Sequence, residues 1–159
     1  MGSDTDLPIM TETARTLKEF GVAFEIEITS AHRSPGRTAE YARTAVGRGL
    51  KAIIVGAGGA SHLAGIIAAE TVLPVIGVPI SSTPLAGMDA LLSTVQMPAG
   101  VPVAVMAIGK AGAVNAAIFA AEIIATADAE LAERLRSYKE KLARGVAEKS
   151  EKLKKEFSV

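Results

Sequence analysis

Three unbroken apolar runs rich in valine and isoleucine, at residues 52–55, 74–78 and 101–108, constrain this chain more than any other feature. A strand with one wet face alternates apolar and polar residues, whereas a continuous run suits a strand covered on both faces. Helix-sized stretches separate the runs: residues 8–20, with Met10, Ala14 and Leu17 on one face, then 34–48, 63–71, 88–95 and 113–127. Such alternation predicts an α/β fold with a parallel sheet. Pro8 and Pro35 fit first helical turns, with Ser34 as the cap before the second. The alanine-rich stretch at 113–127 is expected to pack very close to a neighbour.

Phe24, Ile26 and Ile28 alternate with Glu25, Glu27 and Thr29, the pattern of a half-exposed strand at a sheet edge. A helix opening near Pro8 also needs a strand before it, and only residues 1–7 precede it. Omitting a central strand would leave its neighbours with unpaired backbone groups. The expectation is therefore that Met1 ends a first strand lying outside these residues. Residues 1–127 read as one α/β catalytic domain. From 128 to 159 the composition changes, and Leu131, Leu135, Tyr138, Leu142, Val146 and Leu153 recur at helical spacing among charges. This predicts a long amphipathic helix that packs on its own domain or on a neighbouring subunit.

Composition narrows the function. Seventeen basic residues balance seventeen acidic ones and aromatics are only 4%, so neither a charged field nor a stacking platform for nucleic acid is present. No apolar run reaches the ~20 residues of a membrane span, and the amino end does not resemble a signal peptide. With no cysteine there are no disulfides, thiolate nucleophiles or thiolate metal sites. A cytoplasmic protein is expected.

In open parallel sheets ligands bind beyond the carboxyl ends of the strands, and three loops qualify. The first, Gly2-Ser3-Asp4-Thr5-Asp6, offers the hydroxyls of Ser3 and Thr5 near a helix start and could hold a phosphate. Asp4 and Asp6 could instead cap that helix, while Asp6 could also accept hydrogen bonds from ribose hydroxyls. The second, Ser30-Ala31-His32-Arg33, sets a side chain that titrates near neutrality beside an anion clamp. The bland alternatives are a histidine satisfied by backbone and a solvated arginine. The third runs Gly56-Ala57-Gly58-Gly59-Ala60-Ser61-His62. It contains no carboxylate, so an anionic group could approach the backbone at Gly58 and Gly59 without repulsion. His62 either contacts substrate or orients the loop. Neither the dinucleotide fingerprint nor a Walker loop is present, and two histidines thirty residues apart make no convincing metal site.

Taken in order, Met1-Gly2-Ser3-Asp4-Thr5-Asp6, Ser30-Ala31-His32-Arg33-Ser34-Pro35 and Gly56-Ala57-Gly58-Gly59-Ala60-Ser61-His62-Leu63 resemble the PurE family of purine biosynthesis. So do Leu73-Pro74-Val75-Ile76-Gly77-Val78-Pro79, Val95-Gln96-Met97-Pro98-Ala99-Gly100-Val101-Pro102 and Asn115-Ala116-Ala117. The likeness is to the class I members, the N5-carboxyaminoimidazole ribonucleotide mutases, and extends to about Tyr138. It implies a flavodoxin-like three-layer sandwich, a homo-octamer, and a reaction without cofactor. In that reaction a carboxyl group moves from the exocyclic nitrogen of an aminoimidazole ribonucleotide to ring carbon four. The resemblance makes His32 the acid and then the base, and has Ser3, Asp6 and Arg33 hold the ribose phosphate with Ser30 and Thr5 nearby. Thr5 replaces the family's usual serine, Leu7 a frequent tryptophan and Ser61 an alanine, and the usual proline after Leu63 is absent. Direct carboxylation by carbon dioxide, the class II reaction, and an inert ribonucleotide-binding module remain alternatives.

Overall fold

The computed structural model describes residues 1–157. A 3-10 turn at Asp4–Asp6 leads into α1 (Leu7–Glu19), followed by α2 (Pro35–Thr44), β1 (Ile53–Gly58), α3 (Leu63–Glu70) and β2 (Val75–Ile80). The chain ends with α4 (Met88–Val95), β3 (Ala104–Val105), α5 (Lys110–Ala125) and α6 (Ala129–Glu156). The strands form a parallel sheet in the order β1-β2-β3, with Ile53 opposite Val75 and Ile76 opposite Ala104.

Strand periodicity sorts the core into two layers. Ile53, Val55, Ala57 and Val75 face α2 and α3, where they meet Ala42, Leu63 and Ile67. Ile76, Val78 and Ile80 face the other way, against Met10 of α1 and Ala113, Ala116 and Ala120 of α5. The central strand β2 is buried along its whole length, as its continuous apolar sequence requires. Helices on both faces make the three-layer α/β sandwich expected from the sequence. The alanine face of α5 does pack closely: Ala113, Ala116, Ala117 and Ala121 are fully buried, and Thr13 Oγ1 of α1 reaches Ala113 O at 2.9 Å.

Four local expectations need correction. The run at 101–108 pairs only at Ala104–Val105, because Pro102 has no amide to donate and the chain beyond touches β2 through single bonds, Met106 N to Gly77 O and Gly109 N to Pro79 O. Residues 24–28 alternate as a strand should, yet they join no ladder. Their backbone meets only Met1, whose nitrogen donates to Glu27 O at 2.8 Å and whose carbonyl accepts from Thr29 N at 2.9 Å, and side chains add the rest: Thr29 Oγ1 lies 2.7 Å from Thr38 Oγ1 of α2, and Glu27 and Glu25 pair with Arg37 and Arg48. Ser34 does occupy the cap position of α2, but its hydroxyl turns back to Ser30, accepting from its amide and donating to its carbonyl. The helix it precedes also ends early, at Thr44 rather than near Arg48.

Asp128 caps α6 by accepting from Leu131 N at 2.9 Å. The first turns of α6 pack on the same chain, with Leu131 and Leu135 buried beside Phe20 and Tyr138 edge-on to Phe20 at 5.2 Å between ring centres. Farther along, Leu142, Val146 and Leu153 are 54%, 69% and 58% exposed, so the later apolar stripe has no cover within this chain. The helix expected from sequence runs to Val159, and its last two positions lie outside the described residues.

Candidate active site

The three loops singled out by sequence converge at the carboxyl end of β1. They enclose a cavity of about 230 Å³ lined by Ser3, Thr5, Asp6, Ser30, His32, Arg33, Gly58, Gly59 and His62, every candidate position. Two loops follow extended segments and one precedes α1, so convergence is a product of the parallel sheet.

The first loop is tightly self-satisfied. Ser3 Oγ accepts from Thr5 N at 3.3 Å, and Asp6 Oδ2 accepts from Ser3 N at 3.0 Å, a reciprocal capping box. Asp4 Oδ1 takes Thr5 N and the Ser3 hydroxyl, both at 3.0 Å. The capping alternative thus describes Asp4 well. Asp6 caps too, but it is buried at 4% exposure and its second oxygen is not used by the box.

Burial pushes the Asp6 carboxyl above the usual aspartate value, opposed by the Ser3 amide bond. A carboxyl raised on folding contributes its full stability below the ordinary aspartate value and loses it as pH rises through the raised one. Asp6→Asn keeps an acceptor for Ser3 N and abolishes the charge. At neutral pH the variant is expected to melt no lower than the parent, which thermal melting curves check.

The second loop closes as a turn, with Ser34 N on Ser30 O at 2.9 Å and Arg33 N on Ser30 Oγ at 3.2 Å. Arg33 lies back toward the first loop, its Nη2 3.5 Å from Gly2 O. Its remaining donors are free to clamp an anion between the two loops.

The third loop needs its glycines. A Cβ on Gly58 would run into the Ser82 side chain and lie 3.0 Å from Ile80 O, so only glycine lets β1 approach the end of β2 here. Ser61 sits in left-handed backbone at φ 47°, and its buried hydroxyl contacts Ala57 O at 3.3 Å and Thr94 Oγ1 at 2.8 Å. That contact ties the loop to α4 and offsets the strain of a non-glycine residue there.

His62 occupies the cap position of α3 without capping it. Its Nδ1 lies 2.8 Å from Nε2 of His32, with the rings edge-on at 80°. One nitrogen of such a contact must donate and the other accept, so the two imidazoles share one hydrogen. This pairing was invisible in sequence, where the histidines stand thirty residues apart. Sequence reasoning also missed Ser82, which lines the cavity from the loop after β2. The rule placing ligands at strand carboxyl ends would have flagged it. Among the described residues no group of three or more His, Cys, Asp or Glu side chains gathers in a way that could hold a metal.

Comparison with known proteins shows the family. The AIR carboxylase family model matches residues 1–145. An N5-carboxyaminoimidazole ribonucleotide mutase from Pyrococcus horikoshii is 57% identical over 153 residues, covering 96% of this chain and 85% of the relative. One from Bacillus subtilis is 52% identical, covering 96% and 94%. The crystal structure of Treponema denticola PurE superposes with a TM-score of 0.86 at 30% identity, over 97% of this chain and 95% of that one. The chain belongs to the AIR carboxylase family.

Proposed function

We propose that this chain converts N5-carboxyaminoimidazole ribonucleotide to 4-carboxy-5-aminoimidazole ribonucleotide, with His32 moving the proton at both steps. One observation carries the reading: His32 shares a single cavity with Arg33, Ser3 and Asp6 above a glycine floor free of carboxylates. The close likeness to mutases of nearly the same length supports it.

The chemistry balances on one ring. His32 as imidazolium protonates the exocyclic nitrogen as the nitrogen–carbon bond breaks, releasing carbon dioxide and a neutral amine. Ring carbon four then attacks carbon dioxide, leaving that carbon tetrahedral with both its hydrogen and the new carboxylate. Neutral His32 removes the hydrogen, which restores aromaticity and regenerates the imidazolium. Carbon dioxide must not escape meanwhile, and Ala57, Gly58 and Gly59 line a small-residue surface suited to hold it. Arg33, Ser3 and Thr5 hold the ribose phosphate, Ser30 sets the Arg33 backbone, and Asp6 accepts from the ribose hydroxyls. His62 keeps the His32 nitrogen hydrogen-bonded until substrate takes its place.

The reading includes a homo-octamer in the cytosol. Its support is the exposed apolar row of Leu85, Met88, Leu92 and Val95 together with the uncovered half of α6. Among the described residues no helix is long and apolar enough to cross a membrane. A native particle of eight times the 16.3 kDa chain mass is expected. In the decisive assay, product forms from the N5-carboxy substrate without added bicarbonate. Turnover of aminoimidazole ribonucleotide that requires bicarbonate would instead assign direct carboxylation, and binding without turnover of either would leave an inert module.

A further inference from the structure

Five side-chain hydroxyls line the candidate active site, those of Ser3, Thr5, Ser30, Ser61 and Ser82. Four are committed within the chain. Thr5 Oγ1 donates to Ser3 Oγ at 3.0 Å, Ser30 Oγ accepts from Arg33 N at 3.2 Å, and Ser61 Oγ meets Thr94 Oγ1 at 2.8 Å. The Ser82 hydroxyl is the one that has no hydrogen-bond partner among the described residues.

Its position is nevertheless fixed. Gly58 ends β1 opposite Ile80 of β2, and Ser82 stands two residues beyond Ile80. A Cβ on Gly58 would lie 2.8 Å from Ser82 Cβ and nearer still to its Oγ. The glycine thus leaves free the space that the Ser82 hydroxyl occupies. Directly after Ser82 the loop is anchored again. Thr83 Oγ1 donates to Asp89 Oδ2 at 2.7 Å and accepts from Leu85 N at 3.2 Å, and Thr83 O accepts from Ala86 N at 3.2 Å. A strand before it and an anchored turn after it hold the hydroxyl in place.

The cavity has two ends. Gly2 N donates to Gly56 O at 3.2 Å, so the first loop, with Arg33 reaching back to it, lies along the edge of β1 away from β2. Ser82 stands on the β2 side, across the glycines. A ribonucleotide with its phosphate at Arg33 and Ser3 therefore extends its base over Gly58 and Gly59 toward Ser82. Nε2 of His32 meets His62, which ends the glycine loop, so proton and carboxyl chemistry come together there. Carbon dioxide is uncharged, and alanine and glycine side chains offer it no directional contact. A hydroxyl can donate in turn to an oxygen of the N5-carboxy group, of carbon dioxide and of the new carboxylate. That bond strengthens as negative charge collects on the oxygen.

We propose that Ser82 is a catalytic residue of the carboxyl transfer, its hydroxyl donating a hydrogen bond to an oxygen of the migrating carboxyl group. Resting on the mutase reading, this assignment adds the residue that retains carbon dioxide. The hydroxyl keeps its proton throughout, and His32 alone exchanges one.

The test compares Ser82→Ala and Ser82→Thr with the parent 159-residue chain on the N5-carboxy substrate. The 4-carboxy product and free aminoimidazole ribonucleotide are measured in the same reaction, above the uncatalysed background. Ser82→Ala is expected to lower kcat for product by about tenfold or more, the loss of a hydrogen bond to a charged group, with KM within about threefold of the parent. Free aminoimidazole ribonucleotide is expected to become a larger share of turnover, because carbon dioxide escapes before ring carbon four attacks. Ser82→Thr keeps the donor and is expected to keep the parent's partition. Ser82 is exposed, so both variants are expected to melt with the parent. Unchanged rate and partition in Ser82→Ala overturn the proposal, and so does a raised KM with kcat unchanged, which would put the hydroxyl on the phosphate or ribose. Equal loss of coupling in both variants overturns it too, showing a spacer only. A parent that does not turn over the N5-carboxy substrate overturns the functional reading and this assignment with it. A working parent with a silent Ser82→Ala overturns this assignment alone.

Discussion

His32→Asn is expected to lower turnover of the N5-carboxy substrate toward the upper end of the roughly 100- to 10,000-fold range of acid–base catalysts, while the dissociation constant stays within about threefold. Asparagine can hydrogen-bond where the imidazole did, yet it exchanges no proton near neutrality. Both proton steps fail together, since the same ring performs them. His32 is exposed, so the fold is not expected to respond. Steady-state rates, substrate titration and a melting curve separate these effects. Undiminished turnover would remove His32 from the mechanism, and lost binding with the rate per bound substrate unchanged would make it a holding residue.

The largest stability effect is expected at Gly112. A Cβ there would fall on the Ala107 carbonyl oxygen and lie 2.6 Å from its carbonyl carbon. The obstacle is backbone, so no side chain can swing aside. α5 would have to move off the sheet, and its face is packed through fully buried Ala113, Ala116 and Ala117. Gly112→Ala is therefore expected to cost about 3 kcal/mol or more, at the upper end of overpacking penalties. That falls against the ~1 kcal/mol an alanine gains over glycine in an open helix. Chemical denaturation checks the sign directly. A stabilised variant would show that α5 is less tightly docked than described.

How far sequence carried the fold follows from which forces are local. The runs at 52–55 and 74–78 became β1 and β2 because covered parallel strands write their burial as unbroken hydrophobicity. Residues 24–28 carried the alternating signal of a half-exposed strand and made no ladder. Pairing depends on a neighbouring backbone, which no local pattern contains. At 101–108, hydrophobicity and proline disagreed, and the missing amide of Pro102 decided the outcome.

The site divides similarly. His32, Arg33, Ser3 and Asp6 were legible because strand-end loops in a parallel sheet converge, and a titratable group beside a cation is a chemical signal. The self-capping of Asp4 and Asp6 was half legible, since the same residues serve caps and ligands. The contact of His62 with His32 was not legible at all, because it depends on how α3 docks beside the second loop. Ser61 was conspicuous only as a departure from the family, and its hydroxyl proves to be the tie between the glycine loop and Thr94.

Carboxyl transfer within one closed site is the central claim, and an isotope reads it most directly. Substrate carrying carbon-13 in its N5-carboxy group is incubated with the chain in buffer containing excess unlabelled bicarbonate, and the product carboxylate is examined by mass spectrometry. The account predicts product that retains the label, because carbon dioxide is held beside the ring between the two proton transfers. Product carrying unlabelled carbon in proportion to the bicarbonate would contradict it.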